Sequence, residues 1–134
     1  MIEVKTLKRE DFNEFKDVII EFYATKYKFP VTNTTIDNST IICLAYNDNQ
    51  IIGAIRAISD LSRHGIIVDL FVNEDFRKNG VGKFLLTSII DELRKNNVRN
   101  IGLVTEPGVD WLVSFYKDNG FVEIKDSIYM ELEN

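Results

Sequence analysis

The stretch from Asp69 to Lys83, DLFVNEDFRKNGVGK, constrains this chain more than any other. It reads as the end of a strand, a short loop with two glycines, and the start of a helix. Ile66 to Val72 is apolar and partly β-branched apart from Asp69, while Asn73 to Asn79 is polar and has loop chemistry. From Val81 the apolar positions Val81, Leu85, Ile89 and Leu93 recur every four residues and so share one helical face. Gly80 and Gly82 stand where that helix begins. Glycine there lets backbone N–H groups approach a ligand with no Cβ in between. Those unpaired N–H groups and the positive end of the helix dipole favour an anion, most often a phosphate.

Two phosphate motifs are excluded by position. A P-loop requires glycine where Arg77 stands and Ser or Thr where Phe84 stands. A dinucleotide fingerprint requires a third glycine where Leu85 stands. What remains, Arg77-Lys78-Asn79-Gly80-Val81-Gly82, resembles the R/Q-x-x-G-x-G/A signature of the GCN5-related N-acetyltransferase (GNAT) superfamily. The resemblance implies that the backbone of Lys78 to Lys83 cradles the pyrophosphate of acetyl-coenzyme A. Lys78 and Lys83 either add charge there or are simply solvated.

Composition narrows the alternatives. The length of 134 residues predicts one domain, 1–134, large enough to bury a core without disulfides. A net charge of -5 argues against a general nucleic-acid binder. Cys43 is the lone cysteine and lies in the apolar run Ile41 to Tyr46, so it reads as a core residue. With one histidine, His64, and one cysteine, no zinc site is expected and no metal is assigned. No apolar run is long enough to span a bilayer, and the N-terminal residues do not read as a signal segment. A cytoplasmic location with no membrane partner is the default expectation.

Periodicity supplies the rest of the architecture. Met1 to Leu7 reads as a strand. A helix follows from about Glu10 to Lys26, with Phe12, Phe15, Val18, Ile19 and Phe22 as its expected buried face. Tyr27 to Thr40 reads as a loop with room for a helical turn at Thr34 to Asn38. Ile41–Tyr46, Ile51–Ser59 and Gly65–Val72 read as three strands with short connections, an antiparallel meander. The helix from Val81 to about Asn96 leads to a strand at Asn100–Thr105, predicted to lie parallel beside the preceding one. Glu106-Pro107-Gly108 is turn composition. Val109–Asn119 reads as a helix stopped by Gly120, and Phe121–Ile124 with Ile128–Leu132 as a closing hairpin. The expected class is α/β (α+β): a mixed, mostly antiparallel central sheet flanked by helices. The order of elements is similar to that of the acyl-CoA N-acyltransferase fold of the GNAT family.

A second motif, Phe115-Tyr-Lys-Asp-Asn-Gly-Phe121, is similar to the Y-x-x-x-G-F segment of the same family. The resemblance makes Tyr116 the general acid that protonates the departing thiolate. Asp69 is a carboxylate in an otherwise apolar strand, and burial of an unpartnered carboxylate is costly, so it needs a reason. It reads either as an ion-paired structural residue or as the group that meets the acceptor amine. Family members with an Asp here often carry Glu just before it; this chain has Val68. Arg56 reads as a solvent-facing sheet residue or as an acceptor-binding one. Asp60 and Glu106 are further candidates for acceptor binding. By the resemblance, Leu70, Phe71 and Val72 lie along the pantetheine arm and supply an N–H to the tetrahedral intermediate.

The expected activity is transfer of an acetyl group from acetyl-CoA to a primary amine of a small molecule by direct attack. No nucleophile–base pair suggests an acyl-enzyme. A non-catalytic acyl-CoA-binding or regulatory module and an acetyltransferase for protein amines are the alternatives. The acceptor and the oligomeric state stay open, a homodimer among the options.

Overall fold

Five consecutive residues of one strand, Ile41 to Ala45, are buried, which requires that strand to be covered on both faces. The computed structural model describes residues 1–134 other than Thr25, Lys28, Phe29 and Pro107. Its strands are β1 (Ile2–Leu7), β2 (Ile41–Asn47), β3 (Gln50–Ser59), β4 (His64–Val72) and β5 (Asn100–Gly102). Its helices are α1 (Phe12–Ala24), α2 (Asn33–Asp37), α3 (Val81–Lys95) and α4 (Asp110–Asp118). The chain divides into two units, Met1–Leu103 and Val104–Asn134.

In the first unit the strands form one sheet in the order β1-β2-β3-β4-β5. The first four pair antiparallel, and β5 runs parallel to β4. This is the predicted meander with its parallel neighbour. Alternation along the strands sends Ile42, Leu44 and Ala54 into a cluster with Phe12, Ile19, Tyr23 and Ile36 of α1 and α2. On α3, Val81, Leu85, Ile89 and Leu93 are all buried as the four-residue spacing predicts. Close packing on that side excludes a side chain at Gly53, where a Cβ would stand 2.9 Å from Leu85 Cδ1 and 3.2 Å from the Phe71 carbonyl oxygen.

Three expectations are corrected. On α1, Val18 is exposed and Tyr23 is fully buried, so the inward face is turned toward Phe12, Ile19 and Tyr23. Strand β5 ends at Gly102 rather than Thr105, and Val104 is exposed. The closing hairpin is absent: residues 121–134 carry no strand, with Ile128 86% and Leu132 90% exposed. Alternating apolar residues form a stable hairpin only when something buries one face, and here that burial is missing. Lys28 and Phe29 of the expected loop, Thr25 of the expected helix and Pro107 of the expected turn lie outside the described residues.

Cys43 is fully buried, with its Sγ 3.6 Å from Thr6 Oγ1. Burial pushes its thiol up to about 12, helped by the Glu92 carboxylate and opposed by the Thr6 hydroxyl. An acid raised on folding adds stability that is complete below its unfolded pKa, about 8.5, and is lost as pH rises through the folded value. Native protein at pH 8 is therefore expected to resist iodoacetamide, while protein unfolded in urea is alkylated once. Intact-mass measurement reads both; rapid alkylation of the native protein at Cys43 would contradict this burial.

Candidate active site

Strand β4 is paired on both sides only over its first third. Its partnership with β5 covers His64 to Ile66, opposite Asn100 to Gly102. From Ile67 to Val72 one edge has no strand partner among the described residues. An open edge presents N–H and C=O groups ready to pair with an extended ligand. Leu70, Phe71 and Val72 lie on that stretch and are partly buried.

The chain leaves β4 through a short 3-10 turn, Glu74–Phe76, opened by Asn73, whose side chain accepts from the Asp75 N–H at 3.1 Å. Arg77 folds back: its Nε donates to the Val72 carbonyl at 3.1 Å and its guanidinium lies 5.4 Å from the Phe71 ring centre. The first residue of the glycine motif thus ties the loop to the strand. Lys26, two residues past α1, also approaches the Phe71 ring, at 5.1 Å. Lys78 and Gly80 both take positive φ, +67 and +78. Only Gly80 does so without steric penalty. Gly80 is the N-cap of α3, and no side chain caps the helix there. The first N–H groups of a helix have no partner within it, so those of Val81, Gly82 and Lys83 suit an anion. Lys78, Asn79 and Lys83 are exposed beside them. The donor set fits a diphosphate: amide hydrogens, a helix dipole and flanking cations.

Asp69 departs from regular strand geometry. Ala54 opposes Phe71 and Arg56 opposes Val68, so β4 carries an extra residue and the paired register skips Asp69 and Leu70. This is a β-bulge, and Asp69 has φ +55. Arg56 is not solvent-facing. It is 7% exposed, with Nε and Nη2 donating to Asp69 Oδ2 at 2.8 and 2.7 Å and Nη1 donating to Ser39 Oγ at 2.7 Å. Its guanidinium is committed to the protein rather than turned to an acceptor. The Tyr23 hydroxyl donates to the Asp69 carbonyl oxygen at 2.6 Å. Burial, and secondarily the Asp69 charge, push the Tyr23 phenol well above its ordinary range, so it remains a proton donor. Tyr23 and Ser39 were not among the sequence candidates. The helical stripe through Ile19 could have revealed Tyr23; nothing local marks Ser39.

Asp60 stands apart. Its Oδ1 accepts the N–H groups of Ser62, Arg63 and His64, closing the turn before β4 at the end opposite the glycine loop. Those bonds hold its carboxyl below the ordinary range. One of its carboxylate oxygens is thus used within its own turn. Glu106 is exposed and belongs to the second unit. In that unit Tyr116 is half-buried, packed edge-on against Phe115 and Phe121 at 5.2 and 5.9 Å. Burial raises its phenol above the ordinary value, so it is neutral and protonated at neutral pH. Among the described residues no cluster of His, Cys, Asp and Glu could hold a metal ion. None of their helices is long and apolar enough to cross a membrane.

Comparison with known proteins places the chain in a family. The acetyltransferase (GNAT) family matches residues 3–121. The uncharacterized N-acetyltransferase ycf52 of Gracilaria tenuistipitata var. liui is 38% identical over 97 residues, covering 69% of this chain and 52% of the relative. Streptothricin acetyltransferase A of Bacillus subtilis is 32% identical over 79 residues, 59% of this chain and 46% of the relative. The chain thus spans about half the length of these curated relatives. A GNAT family acetyltransferase of Streptococcus pneumoniae superposes with TM-score 0.77 at 25% identity, covering 100% of this chain and 98% of that one. With the family match over nearly its whole length, the chain belongs to the GNAT acetyltransferase family.

Proposed function

We propose that this chain transfers the acetyl group of acetyl-CoA to a primary amine of a small molecule by direct attack. The observation that carries the reading is the continuity of an open strand edge, Ile67 to Val72, with an uncapped helix N-terminus at Gly80. The strand edge suits the amide-rich pantetheine arm and the helix end suits the diphosphate. The amine nitrogen bonds to the thioester carbonyl carbon, and the C–S bond breaks as the tetrahedral intermediate collapses. The proton lost by the amine passes to water, and Tyr116 supplies one to the thiolate. Its raised pKa keeps that proton in place at neutral pH. Asp69 has one carboxylate oxygen held by Arg56. The other is proposed to attract the acceptor as an ammonium ion before it loses its proton.

One relative named for streptothricin acetylation, and an aminoglycoside acetyltransferase from a soil metagenomic sample that shares the fold at 17% identity and TM-score 0.74, favour a small acceptor. A protein amine is the second reading, favoured by a histone acetyltransferase of Glycine max that is 33% identical over 72 residues. Thiol release from acetyl-CoA across polyamines, aminoglycosides, amino acids and a lysine peptide separates the two. Faster turnover of a small amine is expected. A preference for the peptide would transfer the assignment, and acetyl-CoA binding without turnover of any amine would make the chain a binding module.

Within this reading, Tyr116→Phe is expected to lower kcat by about 10²-fold with acetyl-CoA affinity retained. An unchanged kcat removes Tyr116 from proton transfer. Asp69→Asn keeps an oxygen for Arg56 but removes the charge, so the KM for the amine should rise while acetyl-CoA affinity holds. Gly80→Ala places a Cβ at positive φ and distorts the helix end; acetyl-CoA affinity should fall about tenfold, the scale of one lost charge-assisted hydrogen bond. Calorimetric affinity equal to wild type would show that the loop does not grip the diphosphate.

A further inference from the structure

Groups from α1, from the residue after the α2 C-cap and from β3 converge on the bulge at Asp69. The Tyr23 hydroxyl takes its carbonyl oxygen, Arg56 takes its carboxylate through two nitrogens, and Ser39 fixes the remaining arm of Arg56. Tyr23 is fully buried and Arg56 nearly so, on the sheet face that otherwise packs apolar side chains against α1. An ion pair in such a place contributes little net stability, because desolvation offsets the attraction. What it does fix is direction.

The peptide unit is planar and trans, so its carbonyl and its N–H point opposite ways. Holding the Asp69 oxygen at 2.6 Å from Tyr23 therefore turns the Leu70 N–H away from α1. Leu70 is one of the two residues that the paired register skips, and the bulge frees it from the regular alternation of the ladder. A bulge with a non-glycine residue at positive φ persists when its surroundings over-determine it. Here they hold both the main chain and the side chain of the same residue.

We infer that Tyr23, Arg56 and Ser39 are positioning residues that lock the Asp69 bulge and thereby aim the Leu70 N–H at the thioester oxygen. This rests on the acetyl-transfer reading above. Tyr23 and Arg56 touch no substrate; they act through the Asp69–Leu70 peptide. An N–H aimed in advance at the developing oxyanion stabilises the transition state more than bound coenzyme, so loss of aim appears in kcat.

Tyr23→Phe keeps the ring and removes only the hydroxyl, and Arg56→Lys keeps the charge but not the two-nitrogen grip. The measurements are kcat and KM with acetyl-CoA, calorimetric affinity for free CoA, which has no acetyl oxygen, and the melting temperature. Tyr23→Phe is expected to lower kcat about 10- to 100-fold with CoA affinity within twofold of wild type, somewhat less than deletion of an oxyanion donor. Arg56→Gln should lose more than Arg56→Lys. The double variant Tyr23→Phe/Arg56→Gln should fall short of the product of the single losses, because both act on one bulge. Wild-type kcat in Tyr23→Phe overturns the inference and leaves acetyl transfer standing. Parallel loss of kcat, CoA affinity and melting temperature also overturns it, since that is the mark of a general packing role. Absence of acetyl transfer by the wild type brings down both.

Discussion

The contact between Arg56 and Asp69 sets the shape of the strand on which the site is built. A guanidinium in a sheet face that packs against an apolar helix must find an anion, and the carboxylate within reach is thirteen residues away on the neighbouring strand. The pair forms where β4 carries its extra residue, so ion pair and bulge are one feature seen from side chain and main chain. Tyr23 adds the third fixed point from the helix above. A regular strand would place residue 69 in the ladder and leave no reason for its positive φ.

The second constraint is the shortness of β5. With three residues paired to β4, the sheet stops supporting that edge just before the bulge. The same strand then runs into a loop pinned by Arg77 and into an uncapped helix. An extended, amide-bearing molecule with an anionic end matches both features in sequence along the chain. The chain belongs to the acetyltransferase (GNAT) family, whose resemblance implies acetyl-CoA.

Much of this was legible in the sequence because it rests on local periodicity. The buried run of β2, the four-residue stripe of α3 and the glycine pair at its start are short-range patterns, and the described structure follows them. Asp69 was legible as a carboxylate that needed a partner. Its partner was not: the geometry that brings Arg56 to it depends on a bulge, which no residue type marks in advance. Tyr23 was missed because the helix face was read from the more apolar Val18 and Phe22, whereas the sheet below selects the stripe through Phe12, Ile19 and Tyr23. The C-terminal alternation signalled two strands, yet alternation records only a capacity for burial, and residues 122–134 are exposed. The turn role of Asp60 was not legible either: one oxygen of its carboxylate closes its own turn.

The central claim is that one continuous stretch, from the bulge of β4 to the first turn of α3, receives the coenzyme. Amide chemical-shift mapping tests it directly, with 15N-labelled protein titrated with a non-reactive CoA analogue lacking sulfur. The account predicts that the amides of Leu70 to Val72 and of Asn79 to Lys83 shift together along one saturation curve, while those around Asp60 do not move. Saturable shifts confined to other parts of the chain, or no shifts at all, would contradict it.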